Sequence, residues 1–277
     1  MIVSIVTPVL NGGTVFALCI ESVIREREAC RARGLDIEIE HLVADGGSTD
    51  GSIALAQSYG LVVLQEQGTD LHDRLNRSYL NARGDLIGLL GADDILLPGG
   101  IEAIVAAYHR SGRRWVVGGL LWIDPEGCSL GTLKAPPHWI KAEVYACLGW
   151  NLGGAMATYF TPAFFKELGG FDTRFQVAAD CDLFTRALAR EPFARVDVPV
   201  AGSRRSGKNY SVVKKERRIE EGRLIAETLG PKSRAKRIVT RLLLKAWVHA
   251  AHPAWLAHKL HDRARFRLGL KRVSFFD

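Results

Sequence analysis

Two adjacent carboxylates, Asp93 and Asp94, follow the apolar run Leu86-Ile87-Gly88-Leu89-Leu90. Such a run reads as a buried strand, which puts the pair at its carboxyl end, where charge needs a partner. A divalent cation bridging two phosphates is the natural one, because Mg2+ or Mn2+ takes one or two carboxylates together with phosphate oxygens and water. The other reading is a solvated N-cap for a helix beginning near Pro98. Two further segments carry small residues and oxygens suited to a nucleotide-sugar: Thr7-Pro8-Val9-Leu10-Asn11 and Asp45-Gly46-Gly47-Ser48-Thr49-Asp50-Gly51. Alone, each could be only a turn, since Asp, Gly and Ser are turn formers. Gly202 to Lys208 (GSRRSGK) sets three cations among small residues, either a loop that closes over a diphosphate or a plain solvated loop. His72 and His138 have no metal-ligand spacing. Trp139 and Trp150 either stack on an acceptor sugar or fill the core of a second subdomain, the latter being favoured. The five scattered cysteines never form CxxC, so they read as reduced, mostly buried thiols.

Strand ends must bring these segments together. Residues 2–9 read as a buried strand, followed by a helix over 14–33, a strand over 37–44 and a short helix to Tyr59. A strand over 61–64, a helix near 70–82 and a strand over 85–90 then lead to Gly91-Ala92-Asp93-Asp94. This βαβ order predicts an α/β fold built on an open, mostly parallel sheet flanked by helices, with ligands bound at the carboxyl ends of the strands. The second half carries strands near 115–123 and 156–160. The division is a catalytic domain over 1–229, with a nucleotide-binding half over about 1–112 and an acceptor-binding half over 113–229, followed by a basic helical tail over 230–277.

Taken in order, these segments resemble the family 2 glycosyltransferases of GT-A fold, in their bacterial branch. TPVLNGG is similar to the family's first strand and nucleoside loop, ADGGSTDGS to its second such loop, and GADDILLPGGI to its metal-binding segment, a variant of DxD. Glu66 to Asn76 (EQGTDLHDRLN) matches a bacterial pattern without gaps. Leu168 to Asp172 and Ala178 to Leu183 resemble the GGFD element and the segment bearing the catalytic base. The resemblance spans about residues 2–190. It implies that Thr7, Pro8, Leu10, Asn11, Asp45, Gly47, Asp73, Asn76 and Asp93 bind the nucleotide-sugar, Asp45 at the nucleobase edge and Asp93 near the ribose or metal shell. Asp94 would ligate the metal, Mn2+ or Mg2+, and Asp180 would be the general base. Ala92, Ala179, Gly68, Asp70 and His72 depart from the family's commoner residues, which bears on donor and acceptor selectivity.

The implied reaction is inverting transfer of a sugar from a nucleoside diphosphate, UDP by resemblance, to an acceptor hydroxyl. A cation on Asp94 stabilises the leaving diphosphate, and Asp180 takes the acceptor proton late in a single displacement. Asp182, two residues on along a helix, points to another side. Bacterial cell-surface glycan assembly is the implied setting. A sugar nucleotidyltransferase is the rival enzyme, but it would carry a basic phosphate loop after the first strand, whereas no Lys or Arg occurs before Arg25. A non-catalytic nucleotide-sugar or glycan-binding protein is the rival of another class.

Net charge is +7, yet the segment from Pro231 onward holds 12 Lys/Arg against Asp262 and Asp277, leaving the body slightly acidic. A nucleic-acid partner is therefore not indicated by the pI. Residues 234–252 read as an amphipathic helix ended by Pro253. One face carries Arg234, Arg237, Arg241, Lys245, His249 and His252, and the opposite face Val239, Leu242, Leu243, Ala246, Trp247 and Ala250. An anionic membrane surface is the partner this pattern suggests for 231–272, in reach of a glycan or lipid-linked acceptor. Packing of the apolar face on the domain, or against a second copy, is the alternative. With no charged leader and no run of about 20 apolar residues, a cytoplasmic protein, peripheral at the inner face of the membrane, is expected.

Overall fold

The apolar run Ile2–Val9 forms β1, buried along nearly its whole length. A strand covered on both faces needs parallel neighbours linked by helices that pack on the sheet. The structure, a computed structural model, describes residues 1–65, 70–206, 209–253, 256–257 and 260–261. Expectations for Glu66 to Thr69, Gly207, Lys208, Lys259 and the tail from Asp262 onward lie outside those residues. The first half alternates as β1 (Ile2–Val9), α1 (Val15–Ala32), β2 (Glu38–Asp45), α2 (Ser52–Ser58), β3 (Val62–Gln65), α3 (Leu71–Asn81), β4 (Leu86–Leu89), β5 (Ile95–Leu96) and α4 (Gly100–Ser111). The second half contains β6 (Trp115–Ile123), β7 (Ser129–Leu133), α5 (Ala142–Ala146), β8 (Thr158–Phe160), α6 (Pro162–Glu167), α7 (Ala179–Arg190), β9 (Ala194–Arg204), α8 (Tyr210–Val213), α9 (Lys215–Leu229) and α10 (Arg234–Ala251).

One sheet in the order β3-β2-β1-β4-β8-β6-β9-β5, with β7 on β6, runs through both halves. β3, β2, β1 and β4 are parallel, and so are β6 and β9, while β8, β7 and β5 run against them, so the sheet is mostly parallel as expected. The long strand β9 corrects the reading of 202–208 as a loop. Gly202, Ser203 and Arg204 pair with β6, and Gly202 also pairs with Ile95 of β5. Pro199 and Gly202 look like strand breakers in sequence. Here Gly202 is required because a Cβ would stand 2.8 Å from the Ile95 side chain.

α9 crosses close to the loop after α5. A Cβ on Gly222 would lie 2.7 Å from the Gly149 carbonyl oxygen, so two glycines let helix and loop touch backbone to backbone. The neighbouring Glu221, 4% exposed, accepts the N–H groups of Gln176, Val177 and Ala178 at 2.8–2.9 Å and the Arg217 Nε at 2.8 Å. Burial alone would raise its pKa, but these donors outweigh it and hold the carboxyl below its usual value. Gly222→Ala is expected to push α9 off this contact at a cost of ~1–3 kcal/mol, less the ~1 kcal/mol that Ala gains in a helix. Thermal melting should show a lowered Tm, and an unchanged one would mean that α9 has room to move.

α10 docks with the face not expected to do so. Leu244 and Val248 are buried, Trp247 packs beside them edge-to-face on Trp139 at 5.6 Å, and His252 Nε2 accepts the Lys134 N–H at 3.1 Å. Arg237 and Arg241 lie half-buried on this side, their stems covering apolar surface. Val239, Leu242 and Leu243 remain exposed, correcting the alternative in which they pack on the domain. Trp139 is itself exposed, against the reading of a core aromatic, whereas Trp150 is half-buried on the core. All five cysteines are free, and only Cys128 is exposed.

Candidate active site

The carboxyl ends of β1, β2 and β4 are neighbours, which brings the first two expected loops together. Asn11, in the left-handed region at φ 53°, accepts the Thr49 N–H at 2.9 Å, while its own N–H donates to Ser48 Oγ at 2.9 Å. The Gly12 N–H donates to Ser52 Oγ, and the Gly13 N–H to Asp50 Oδ2. These bonds zip the two loops into one lip, on which Pro8, Leu10 and Asn11 reach solvent. Thr7 does not; it is fully buried, with its hydroxyl 2.9 Å from His41 Nε2. Asp45 is fully buried as well. Its oxygens accept the Gly47 N–H at 2.8 Å and the Ser48 N–H at 3.1 Å, so it shapes the loop on which a base edge is expected.

The Glu66 to Asn76 segment divides similarly. Asn76 on α3 donates to the Phe171 carbonyl and accepts the Phe171 N–H, both at 2.8 Å, so its amide fastens the GGFD turn to α3. Asp73 pairs with Arg77 at 2.7 Å. His72 is buried, and desolvation lowers its pKa. Arg74, which sequence reasoning passed over, is buried with its guanidinium against Gly46, where a Cβ would meet Arg74 Cζ at 2.9 Å. Gly46 thus leaves room for the Arg74 guanidinium beneath the second loop.

The acidic pair follows β4. Asp94 is 4% exposed, and its Oδ1 accepts the Arg204 N–H at 2.8 Å at the end of β9. Burial, and then the neighbouring Asp93 charge, push the Asp94 carboxyl up to about 7, against the opposing hydrogen bond from Arg204. Burial likewise raises the Asp93 carboxyl, whose Oδ2 accepts from Asn209 Nδ2 at 3.0 Å. Among the described residues no three His, Cys, Asp or Glu side chains cluster as a complete metal site. Two hard oxygen donors held out of water nevertheless fit a Mg2+ or Mn2+ that completes its shell with phosphate and water.

Of the expected phosphate-loop cations, Arg204 is taken up by backbone: its guanidinium donates to the Asp93, Asp124 and Pro125 carbonyls at 2.7–3.1 Å. Arg205 lies over the Trp122 ring at 5.3 Å and within electrostatic reach of Asp93, Asp94 and Arg218. Burial depresses its pKa, and the two carboxylates pull it back. Arg218 in turn acts on Asp180, so a chain of charge links the acidic pair to the second carboxylate.

Asp180, in the first turn of α7, borders a narrow cavity with Leu89, Asn151, Phe171 and Phe184. Leu89 ends β4, so this cavity adjoins the strand that carries the acidic pair. Burial raises the Asp180 pKa, and hydrogen bonds from the Cys181 N–H and the Asn151 side chain oppose the rise. Asn151 is itself held by the buried Tyr145 hydroxyl, which donates to its Oδ1 at 2.5 Å, and by the Gly153 N–H at 3.0 Å. Asp182, by contrast, pairs with Arg186, whose guanidinium also binds the Leu168 and Gly170 carbonyls. Through Arg186 it therefore braces the GGFD turn.

The profile of Glycosyl transferase family 2 matches residues 4–165. A PGL/p-HBAD biosynthesis glycosyltransferase of Mycobacterium bovis is 31% identical over 194 residues, covering 67% of this chain and 69% of that relative. Among solved structures, S. aureus TarS 1-349 in complex with UDP-GlcNAc superposes with a TM-score of 0.59 at 15% identity, covering 87% of this chain and 70% of that one. The mannosyltransferase PcManGT from Pyrobaculum calidifontis, in complex with GDP-Man and Mn2+, gives 0.55 at 16% identity, covering 89% and 69%. The two structures share the mixed α/β architecture found here, and with the profile and the mycobacterial relative they identify the chain as a glycosyltransferase of GT-A fold that belongs to family 2.

Proposed function

We propose that the chain transfers a sugar from a UDP-sugar to an acceptor hydroxyl with inversion, in bacterial cell-surface glycan assembly. The observation that carries this reading is the carboxylate pair Asp93–Asp94 just after β4, with Asp94 buried, together with a separate carboxylate, Asp180, that borders a cavity with Leu89 at the end of that strand. The lip formed by Pro8, Leu10 and Asn11 receives the nucleoside. Arg205 and Arg218 lie where they can balance the diphosphate. A divalent cation bound at Asp94, with Asp93 beside it, would supply Lewis-acid stabilisation to the leaving group. Asp180, whose burial-raised pKa the Asn151 amide opposes, accepts the proton of the attacking hydroxyl as the new bond forms. Support for a nucleotide-sugar donor comes from TarS with UDP-GlcNAc and PcManGT with GDP-Man and Mn2+. Support for the setting comes from the mycobacterial relative in PGL/p-HBAD biosynthesis. We further place the protein on the cytoplasmic side, peripheral to the membrane; no described helix is long and apolar enough to cross one.

The test is nucleoside-diphosphate release from a panel of UDP- and GDP-sugars, with Mn2+, with Mg2+ and with chelator. A UDP-sugar should turn over only with cation, and NMR of the product should show the opposite anomer. Turnover of GDP-sugars alone would overturn the UDP assignment. Tight binding of a donor without turnover under any condition would leave the non-catalytic reading.

A further inference from the structure

Helix α10 has two apolar surfaces, and the domain covers only one of them. At about 100° per residue, Leu244 and Val248 fall on the side that docks, where both are buried. Val239, Leu242, Leu243, Ala246 and Ala250 fall within a separate arc, with Ile238 at its edge. Ile238, Val239, Leu242 and Leu243 are 52–66% exposed. Single exposed aliphatics are ordinary, but four of them within six residues form a contiguous patch that calls for a partner.

The charge around the patch says which partner. Lys236 flanks it on one side and Arg234 and Lys245 on the other, and all three are exposed. Not one Asp or Glu occurs from Thr228 to His261, and the residues that follow add Arg263, Arg265, Arg267, Lys271 and Arg272 against Asp262 and Asp277. An apolar strip lined on both sides by cations, with no acid to repel anionic headgroups, matches the interface of an anionic bilayer. A protein surface would instead have to supply carboxylates on both flanks of an apolar groove. The Ser233 cap, whose hydroxyl accepts the Lys236 N–H, and the Lys134–His252 bond hold the helix at both ends, so the patch is presented on a formed, fixed element.

We propose that the outward face of α10, centred on Leu242 and Leu243, docks the protein on an anionic lipid surface. The outward face lies across α10 from the contacts with Lys134 and Trp139 that fix the helix to the domain. If the proposed transfer holds, docking brings the enzyme to a lipid-borne acceptor; the docking itself stands without it.

The experiment is co-sedimentation of the full chain with vesicles of phosphatidylcholine alone and of phosphatidylcholine with phosphatidylglycerol, in low and high salt, for wild type and Leu242→Glu/Leu243→Glu. Both side chains are exposed, so the variant should keep its circular dichroism, its Tm and its turnover of donor in solution. Wild type should bind only the anionic vesicles and lose ~10-fold or more of that binding between 0.05 and 0.5 M salt. The variant should bind at least ~10-fold more weakly. No binding by wild type, equal binding to neutral vesicles, or undiminished binding by the variant would each overturn the proposal. So would a wild-type dimer that the variant dissociates without any vesicle binding, since a second copy would then cover the face. Vesicle binding is read without turnover, so failure of the proposed transfer would leave this result standing.

Discussion

Asp180→Asn will lower the transfer rate by ~10²–10⁴, the usual worth of a positioned base, with donor affinity unchanged. It will also raise the stability of the protein at neutral pH. Burial lifts the Asp180 pKa in the folded state above its unfolded value. As pH rises, the unfolded chain therefore ionises first, and stability is lost between the two pKa values. Asn cannot ionise, so the variant escapes this loss above the folded pKa and equals the wild type below the unfolded one. Thermal melting at neutral pH should therefore show a raised Tm for the variant. Lost activity with a lowered Tm would instead mean that the mutation had damaged α7. The same physics gives Asn151 its role as a positioning residue. Its amide opposes the burial shift, so Asn151→Leu should move the acid limb of kcat/KM to higher pH, and Tyr145→Phe should move it the same way by less. A fall in activity with an unmoved limb would remove Asn151 from that role.

Asp94→Asn should abolish cation-dependent turnover while the protein stays folded. Electrostatic stabilisation of a leaving diphosphate is worth several kcal/mol, and at ~1.4 kcal/mol per decade this amounts to ~10³-fold or more. The choice of Asn matters because Asp94 is no simple surface ligand. Its Oδ1 holds the Arg204 N–H at the end of β9, and an amide oxygen can keep that bond. Asp94→Ala would strand a buried donor, adding a stability loss of ~1–3 kcal/mol to the catalytic one. Turnover by the Asn variant at the wild-type rate, or full wild-type activity in excess chelator, would refute the metal assignment.

The parts of the site that were legible in sequence are those where local pattern sets position. The apolar runs of β1, β2 and β4 and the turn chemistry after them put the two loops and the acidic pair at adjacent strand ends. Side-chain direction was not legible. Thr7, Asp45 and Asn76 sit in the expected segments, yet each points into the protein and holds backbone or core. A motif gives the position of a residue but not which lone pairs its neighbours occupy. Also missed were Glu221, Arg218, Tyr145 and the Gly149–Gly222 contact. The backbone partners of Glu221 and of Gly222 lie 43–73 residues away in sequence and leave no periodic trace. The docking face of α10 was not legible either, because long cationic stems cover apolar surface nearly as well as Leu does.

The Glu221 carboxylate, which gathers the N–H groups of residues 176–178, makes the working unit longer than the recognised one. The family profile ends at residue 165, and the carboxylate assigned as base stands at 180. A ribosome that has delivered both has still not delivered the anchor that sets the turn leading into α7. Until α9 emerges, three backbone donors lack their acceptor and the carboxylate proposed as base has no fixed address, so a nascent chain can hold a nearly complete lip for the nucleoside and still be unable to transfer. Fragments or chimaeras cut after α7 should inherit the same defect: a site that takes the donor and does nothing with it.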